Sequence, residues 1–385
     1  MSCTLVVTVG MNPLPLAASI HSLASQLKLN RIIPVVSSVS EEELGRVRSL
    51  LTVKGVPESL WQLPAITVDP ANPEDVEAKL MAGVPKDQLL HLHYSGGTKV
   101  MVVHSARMIS MFPQWSTSYL DPNFYCLRSY KLSVDPMDLR RTFVVSLEQL
   151  AELHGHRIKK PKTVSSAQND FVEKLTDSTF SSPDNIDAYL RWLEQIDPRG
   201  QTHQTPEESE NICWCPKLPE LDELFLKTFP KRRWADYKDI ADRPFEVYVR
   251  QQVEKTFGPE CVSSNQVLST AVDDFELDTC VLLGYQLILF SVTSDSTKRL
   301  AKAKAFEAWH RARQIGGDCV RAVVVCYAKP KDAEDAEKTV KDSLGFHDSS
   351  GAECLPVQVW GREVFHSAAA FQDRLNKLIY EVDWS

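Results

Sequence analysis

The chain has 385 residues, 43% of them hydrophobic and 24% charged, and a formal net charge of −8 at pH 7. That length holds two domains with full cores, or three small ones. The acidic balance argues against a surface coated in basic patches, while leaving room for a local basic groove. Nine cysteines, an odd number without framework spacing, and no secretory leader at Met1 point to a reducing, cytoplasmic compartment. Cys213-Trp214-Cys215 lacks a partner pair at zinc spacing and reads as two loop cysteines. No apolar run approaches the ~18 residues of a membrane-spanning helix, so no membrane partner is expected.

Strands and helices alternate over residues 1 to 130. "CTLVVTVG" is an apolar strand ending in glycine, followed by helical spacing in "PLPLAASIHSLASQL". "RIIPVVSS" is the next strand, and "SEEELGRVRSLL" opens a helix with a serine N-cap and acids in its first turn. Then come the strand "AITVDP", a helix in "NPEDVEAKLMAG", the strand "QLLHLHYS", a helix beginning within "GGTKVMVVHSARMISM", and two strand-like runs, "WSTSYLD" and "NFYCLRSY". This order predicts a parallel sheet covered by helices on both faces, with ligands gathering at the carboxyl ends of its strands.

Residues 135–238 read as a mainly helical connector. "VSLEQLAELHG" is a short helix ended by Gly155, "RIKKPKTVSSAQND" a basic and polar loop, and "SPDNIDAYLRWLEQID" and "LPELDELFLKTF" amphipathic helices. Between these two helices the stretch over 196–216 has no periodicity and reads as an exposed loop. Residues 239–385 form a second α/β unit. Its parts are the helix "RPFEVYVRQQVEKTFG", a hairpin over Phe275–Ser294 turning at Gly284-Tyr285, and the helix "STKRLAKAKAFEAWHRARQIGG" stopped by two glycines. The strand "CVRAVVVCYA", a helix in "DAEDAEKTVKDSLG", the strand "CLPVQVWG" and a last helix close the chain.

Two stretches carry chemistry. Ser95-Gly96-Gly97-Thr98-Lys99 joins an apolar strand to a helix. Two glycines there let backbone approach a ligand, and the helix start offers unpaired amides and a positive dipole end. Thr98 adds a hydroxyl and Lys99 a charge, a set suited to phosphate. The spacing is neither a P-loop nor G-x-G-x-x-G, and a tight strand-to-helix turn explains the stretch equally well. Three more polar loops should reach the same sheet edge: Gly10-Met11-Asn12, Ser37-Ser38 and Asp121-Pro122-Asn123.

"HYSGGTKVMVVHSARM" resembles the strand-turn-helix signature of CARF domains, the Rossmann-like sensors of CRISPR-associated defence proteins. The resemblance implies a homodimer that binds a cyclic oligoadenylate, tetra- or hexa-, across its twofold axis. It implies that Gly96, Gly97, Thr98 and Lys99, beside Ser95, contact ring phosphates or bases, and that Gly10, Met11, Asn12, Ser37 and Ser38 help to line the pocket. "VSLEQLAELHG" is similar to the connector that follows this domain in the subfamily carrying a nuclease.

In that subfamily the C-terminal domain is a restriction-endonuclease-like α/β unit of the PD-(D/E)xK type. Converging carboxylates hold one or two hard divalent cations, Mg²⁺ or Mn²⁺, and a lysine orients or helps to deprotonate the attacking water. The match puts Glu246 at the helix acid and Asp278 at the strand ligand, the two metal-binding positions. Ser291 stands where the second strand should carry its acid, and Thr293 where it should carry lysine. Hydroxyls do not supply the missing charge at neutral pH. Replacement residues on the next helix are one rescue: Lys304 and Glu307 lie three apart on one face, with Lys298 and Lys302 also placed to face a cleft. The plain reading of all four is a solvated helix face. Glu246 has a plain reading as a surface residue of an amphipathic helix, and Asp273, Asp274 and Glu276 as an acidic strand edge. Lys298, Arg299, Lys302, Lys304, Arg311 and Arg313, with Trp309 and His310 among them, suit a phosphate backbone if they flank a cleft. So does "KRRW" at 231–234.

The expected protein is therefore a CARF-like sensor (1–134), a helical connector (135–238) and a PD-(D/E)xK-like domain (239–385). It senses a cyclic oligoadenylate, and DNA or RNA is the partner of a nuclease fold whose standard chemistry is lost. The alternatives are an active metal-dependent endonuclease using Lys304 and Glu307, and an unrelated nucleotide-binding scaffold.

Overall fold

The computed structural model describes residues 2–159, 166–196, 227–228, 242–270, 273–346 and 356–381. In the first lobe, β1 (Cys3–Thr8), β2 (Leu29–Val36), β3 (Ile66–Thr67), β4 (Leu89–His93) and β5 (Trp115–Asp121) run parallel, and β6 (Cys126–Tyr130) returns antiparallel along β5. The order is β3-β2-β1-β4-β5-β6, which places a topological switch point between β1 and β4. The crossovers are α1 (Pro13–Gln26), α2 (Glu41–Val53), α3 (Pro73–Gly83) and α4 (Lys99–Ile109). β1 is buried along its whole length, as a central parallel strand must be.

The second lobe starts inside the stretch expected to be a connector. After α5 (Leu147–Leu153), the residues Arg157–Lys159 form β7, the outermost strand of the second sheet. Then come α6 (Ser166–Thr179), α7 (Pro183–Ile196) and α8 (Arg243–Phe257). The sheet continues with β8 (Val262–Ser269), β9 (Asp274–Leu283), β10 (Gln286–Thr293), β11 (Arg321–Cys326) and β12 (Val357–Trp360). Its helices are completed by α9 (Lys298–Gly316), α10 (Pro330–Leu344), α11 (Glu363–His366) and α12 (Ala368–Glu381). The order is β12-β11-β10-β9-β8-β7, antiparallel from β7 to β10 and parallel from β10 to β12.

Two stretches differ from the sequence expectation. The basic stretch after Gly155 is not loop throughout: its start pairs with β8 as β7, and its end enters α6, whose Phe171, Val172 and Leu175 are buried against α8. β8 went unnoticed because Ser263, Ser264, Asn265 and Gln266 break the apolar alternation of a strand. Ser40 holds the N-cap position of α2, but its hydroxyl makes no cap bond there and accepts instead from the Ser37 N–H at 3.0 Å. All of the helix expected around 218–229 but residues 227–228, together with the cysteine pair, "KRRW" and most of the 196–216 loop, lies outside the described residues.

The two lobes share one hydrophobic core. Leu5, Val7, Ile20 and Leu23 of the first belong to the same buried cluster as Leu289, Ala305 and Val324 of the second. The join is polar at its centre. Buried Arg140 donates to Gln286 Oε1 at 2.7 Å and pairs with Asp138 at 2.6 Å, and its guanidinium lies 3.9 Å from the Tyr125 ring centroid. The β9–β10 turn tucks beneath it, with the Val145 N–H donating to Gly284 O at 3.1 Å.

Candidate functional site

At the switch point the loops after β1 and β4 meet backbone to backbone. A Cβ on Gly10 would stand 2.6 Å from Gly97 N, and one on Gly96 would stand 2.7 Å from Gly10 N and 2.8 Å from Thr8 O. No larger residue fits this crossing. Gly97 has φ +89°, the left-handed region that glycine enters without cost. The Thr8 hydroxyl donates to Gly96 O at 2.6 Å.

Within the turn the side chains divide into structural and available groups. Ser95 Oγ accepts the Leu120 N–H at 2.6 Å, which binds the turn to the end of β5. Thr98 caps α4 by accepting from the Met101 N–H, and donates to Pro70 O at 2.7 Å. Lys99 is exposed, in the first turn of α4, with no ion pair among the described residues. Asn12 caps α1 through the Leu14 N–H and donates from Nδ2 to Asp318 Oδ2 at 3.3 Å, so it faces the second lobe. Met11 is exposed. Ser37 is buried in its own turn, and Ser38 is exposed on the neighbouring loop of the same sheet edge.

β4 carries two histidines that the sequence reading passed over. His91 bonds Ser116 Oγ and Ser118 Oγ, each at 2.7 Å, and His93 bonds Ser118 Oγ at 3.0 Å. Burial pushes His91 down to about 4 and His93 down to about 3, so both are neutral ties between β4 and β5. Their signal was two histidines in register on one strand face.

In the second lobe the β9–β10 ladder ends at Thr279↔Phe290, and the strands part. The next pair in register is Asp278 and Ser291. Asp278 fills the fork: its Oδ2 accepts the Val292 N–H at 2.7 Å, and Ser291 bonds it from the side. Half-buried Glu246 approaches from the first turns of α8. Burial, with the Asp278 and Asp242 carboxylates beside it, pushes Glu246 up to about 8. Burial likewise raises Asp278, to about 6, against the Val292 N–H and the Lys304 charge that lower it. Asp278 thus feels the Lys304 charge, and Glu246 feels that of Asp278.

Glu307 pairs with Lys304 at 3.5 Å and with Arg311. Asp242 was missed by sequence reasoning. It raises Glu246 and accepts from Ser294 Oγ at 2.6 Å. Its position four residues before Glu246 was the available clue. Thr293 is buried, and its hydroxyl accepts from the Asp295 N–H at 3.2 Å. Neither hydroxyl on β10 replaces a charged group.

The expected basic face on α9 is largely neutralised. Lys298 pairs with Asp335 at 2.9 Å, Lys304 and Arg311 with Glu307, and Arg313 with Asp318. Trp309 is buried edge-on against Phe346, which removes it as a stacking surface. Arg299 and Lys302 keep their charge unpaired among the described residues.

Among the described residues no three His, Cys, Asp or Glu side chains gather into a metal-holding group. A magnesium-like ion needs less from the protein, since it keeps several waters and takes one or two carboxylates plus substrate phosphate. Glu246 and Asp278 fit that role, because both carboxyls are raised by burial, Glu246 further by the Asp278 charge, and a cation relieves both.

No family model and no curated protein sequence matches the chain. Solved structures do. Protein VC1899 from Vibrio cholerae aligns with TM-score 0.66 at 12% identity, over 99% of this chain and 98% of that one. Can2 from Sulfobacillus thermosulfidooxidans, solved with cyclic tetra-adenylate, aligns with TM-score 0.58 at 16% identity, over 94% and 97%. A type III CRISPR defence DNA nuclease activated by cyclic oligoadenylate gives TM-score 0.47 at 15% identity, over 84% and 45%, too partial a likeness to weigh. The chain therefore shares its two-lobed α/β fold with VC1899 and with Can2.

Proposed function

We propose that this chain is a cyclic-oligoadenylate sensor of CRISPR-type antiviral defence, acting as a homodimer, whose nuclease-fold lobe engages DNA or RNA without standard hydrolysis. The observation that supports sensing is the crossing of Gly10 with Gly96-Gly97 at the switch point, with exposed Lys99 at the start of α4 beside it. Unpaired amides, a positive helix end and a free ammonium together suit a ring phosphate. The likeness to Can2, solved with cyclic tetra-adenylate, makes that ring the first ligand to try. Loss of standard chemistry rests on β10: Ser291 bonds Asp278 and Thr293 serves its own turn, so the second acid and the lysine have no substitute on that strand.

A second reading has its own support. Lys304 lies close enough to Asp278 to draw its pKa down, from the helix that follows the hairpin. With Mg²⁺ or Mn²⁺ on Glu246 and Asp278, the ion would supply Lewis acidity at a phosphodiester. Lys304 would then hold an attacking water beside Asp278.

One preparation tests both. Cyclic tetra- or hexa-adenylate should raise the melting temperature of the whole chain, and Lys99→Ala should remove the rise. No shift with either ring overturns the sensor. Offered single- and double-stranded DNA and RNA with Mn²⁺ and ligand, the chain should bind without cutting. Cutting that disappears in Asp278→Ala and in Lys304→Ala would establish the second reading instead.

A further inference from the structure

Beside the glycine turn the sheet edge presents an aromatic pair that none of the residues above accounts for. Tyr94 immediately precedes Ser95, and Tyr119 immediately precedes Leu120, whose N–H is bonded to Ser95 Oγ at 2.6 Å. The Tyr94 N–H donates to Ser118 O at 3.1 Å, so β4 and β5 hold the two tyrosines side by side. Their rings stack with centroids 5.7 Å apart and 27° between planes. Tyr94 is half-buried against the core, while Tyr119 remains 37% exposed.

The cross-strand partner of Tyr119 is Arg128, on the same face of the β5–β6 pair. Arg128 is anchored to Asp121 at 3.3 Å and lies 5.1 Å from the ring centroid of Phe124, which is 61% exposed. A guanidinium fixed by a carboxylate, over the exposed Phe124 ring and opposite Tyr119 in register, offers a good face to a flat π-system. Phosphates and bases alternate along an oligoadenylate. A phosphate at Gly96–Lys99 therefore brings an adjoining base to this end of β5.

We propose that Tyr119, backed by Tyr94 and flanked by Arg128, is the stacking seat for an adenine ring of the cyclic ligand. The assignment rests on the reading of the first lobe as a cyclic-oligoadenylate site. It gives that site a means of preferring purine rings, which phosphate contacts alone lack, because stacking strength follows the area of the π-face.

The test is titration of the whole chain with cyclic tetra-adenylate and cyclic tetra-uridylate. Tyr119→Leu keeps bulk and removes the π-face. Tetra-adenylate binding should weaken by roughly 5- to 150-fold, and the adenylate-to-uridylate affinity ratio should fall with it. Tyr119→Phe should bind within about twofold of the parent, because stacking needs no hydroxyl. Tyr130→Ala, at the far end of the same hairpin, should leave both affinities unchanged. The ratio separates stacking from general damage, since a misfolded edge weakens both rings alike. A parent that binds tetra-adenylate while Tyr119→Leu keeps the parental ratio overturns the stacking seat alone. A parent that binds no cyclic oligoadenylate overturns the sensor reading, and this seat with it.

Discussion

At the scale of single residues, Glu246 decides the most. Its carboxyl sits up at about 8 in the folded chain against an ordinary 4.5, through burial first and the Asp278 charge next. Between those values the folded chain keeps a proton that the unfolded chain has released. Stability therefore falls as pH rises through this window. Glu246→Gln removes the titration. Its melting temperature should exceed the parent's at pH 8, and the gap should close toward pH 5. Parallel pH profiles would show that Glu246 is not held among carboxylates. Its neighbour Asp278 stands out in the sequence as an acid within the apolar run of β9. Helix spacing puts Lys304 and Glu307 on one face, and they do pair, at 3.5 Å. What spacing does not give is that Arg311, one turn on, shares Glu307 with Lys304. Competition among side chains for one partner is not written in spacing.

At the scale of elements, the crossing of the β1 and β4 loops is the tightest constraint. Gly96→Ala would drive a Cβ into two backbone atoms, Gly10 N and Thr8 O, neither of which can move aside like a side chain. The expected cost is about 1–3 kcal/mol, read by denaturant unfolding, together with loss of cyclic-oligoadenylate binding. Gly45→Ala provides the contrast. It is an exposed interior residue of α2 with nothing within 4 Å of a new Cβ, so it should gain about 0.5–1 kcal/mol. The helices and parallel strands of the first lobe were readable because apolar periodicity and glycine punctuation agree there. β7 and α6 were not. Arg157–Lys159 becomes a strand only because β8 offers it an edge, and β8 is itself polar enough to pass for a loop. Pairing across a hundred residues overrode local composition.

At the scale of the whole molecule, the sequence reads as units laid end to end, and the structure joins the two lobes through common apolar packing and the Arg140–Gln286–Tyr125 chain. Thermal unfolding should therefore appear as one transition by both near- and far-ultraviolet circular dichroism, rather than one per lobe. Two resolved transitions would refute that. The buried cluster has a practical consequence. A chain cut after Val134 would lay open the apolar side of α1 that Leu139, Phe143 and Leu150 otherwise close. Such a fragment is expected to aggregate instead of folding alone. The sensor and its effector are then not interchangeable modules. Grafting this front half onto another effector would require transplanting the seam residues as well.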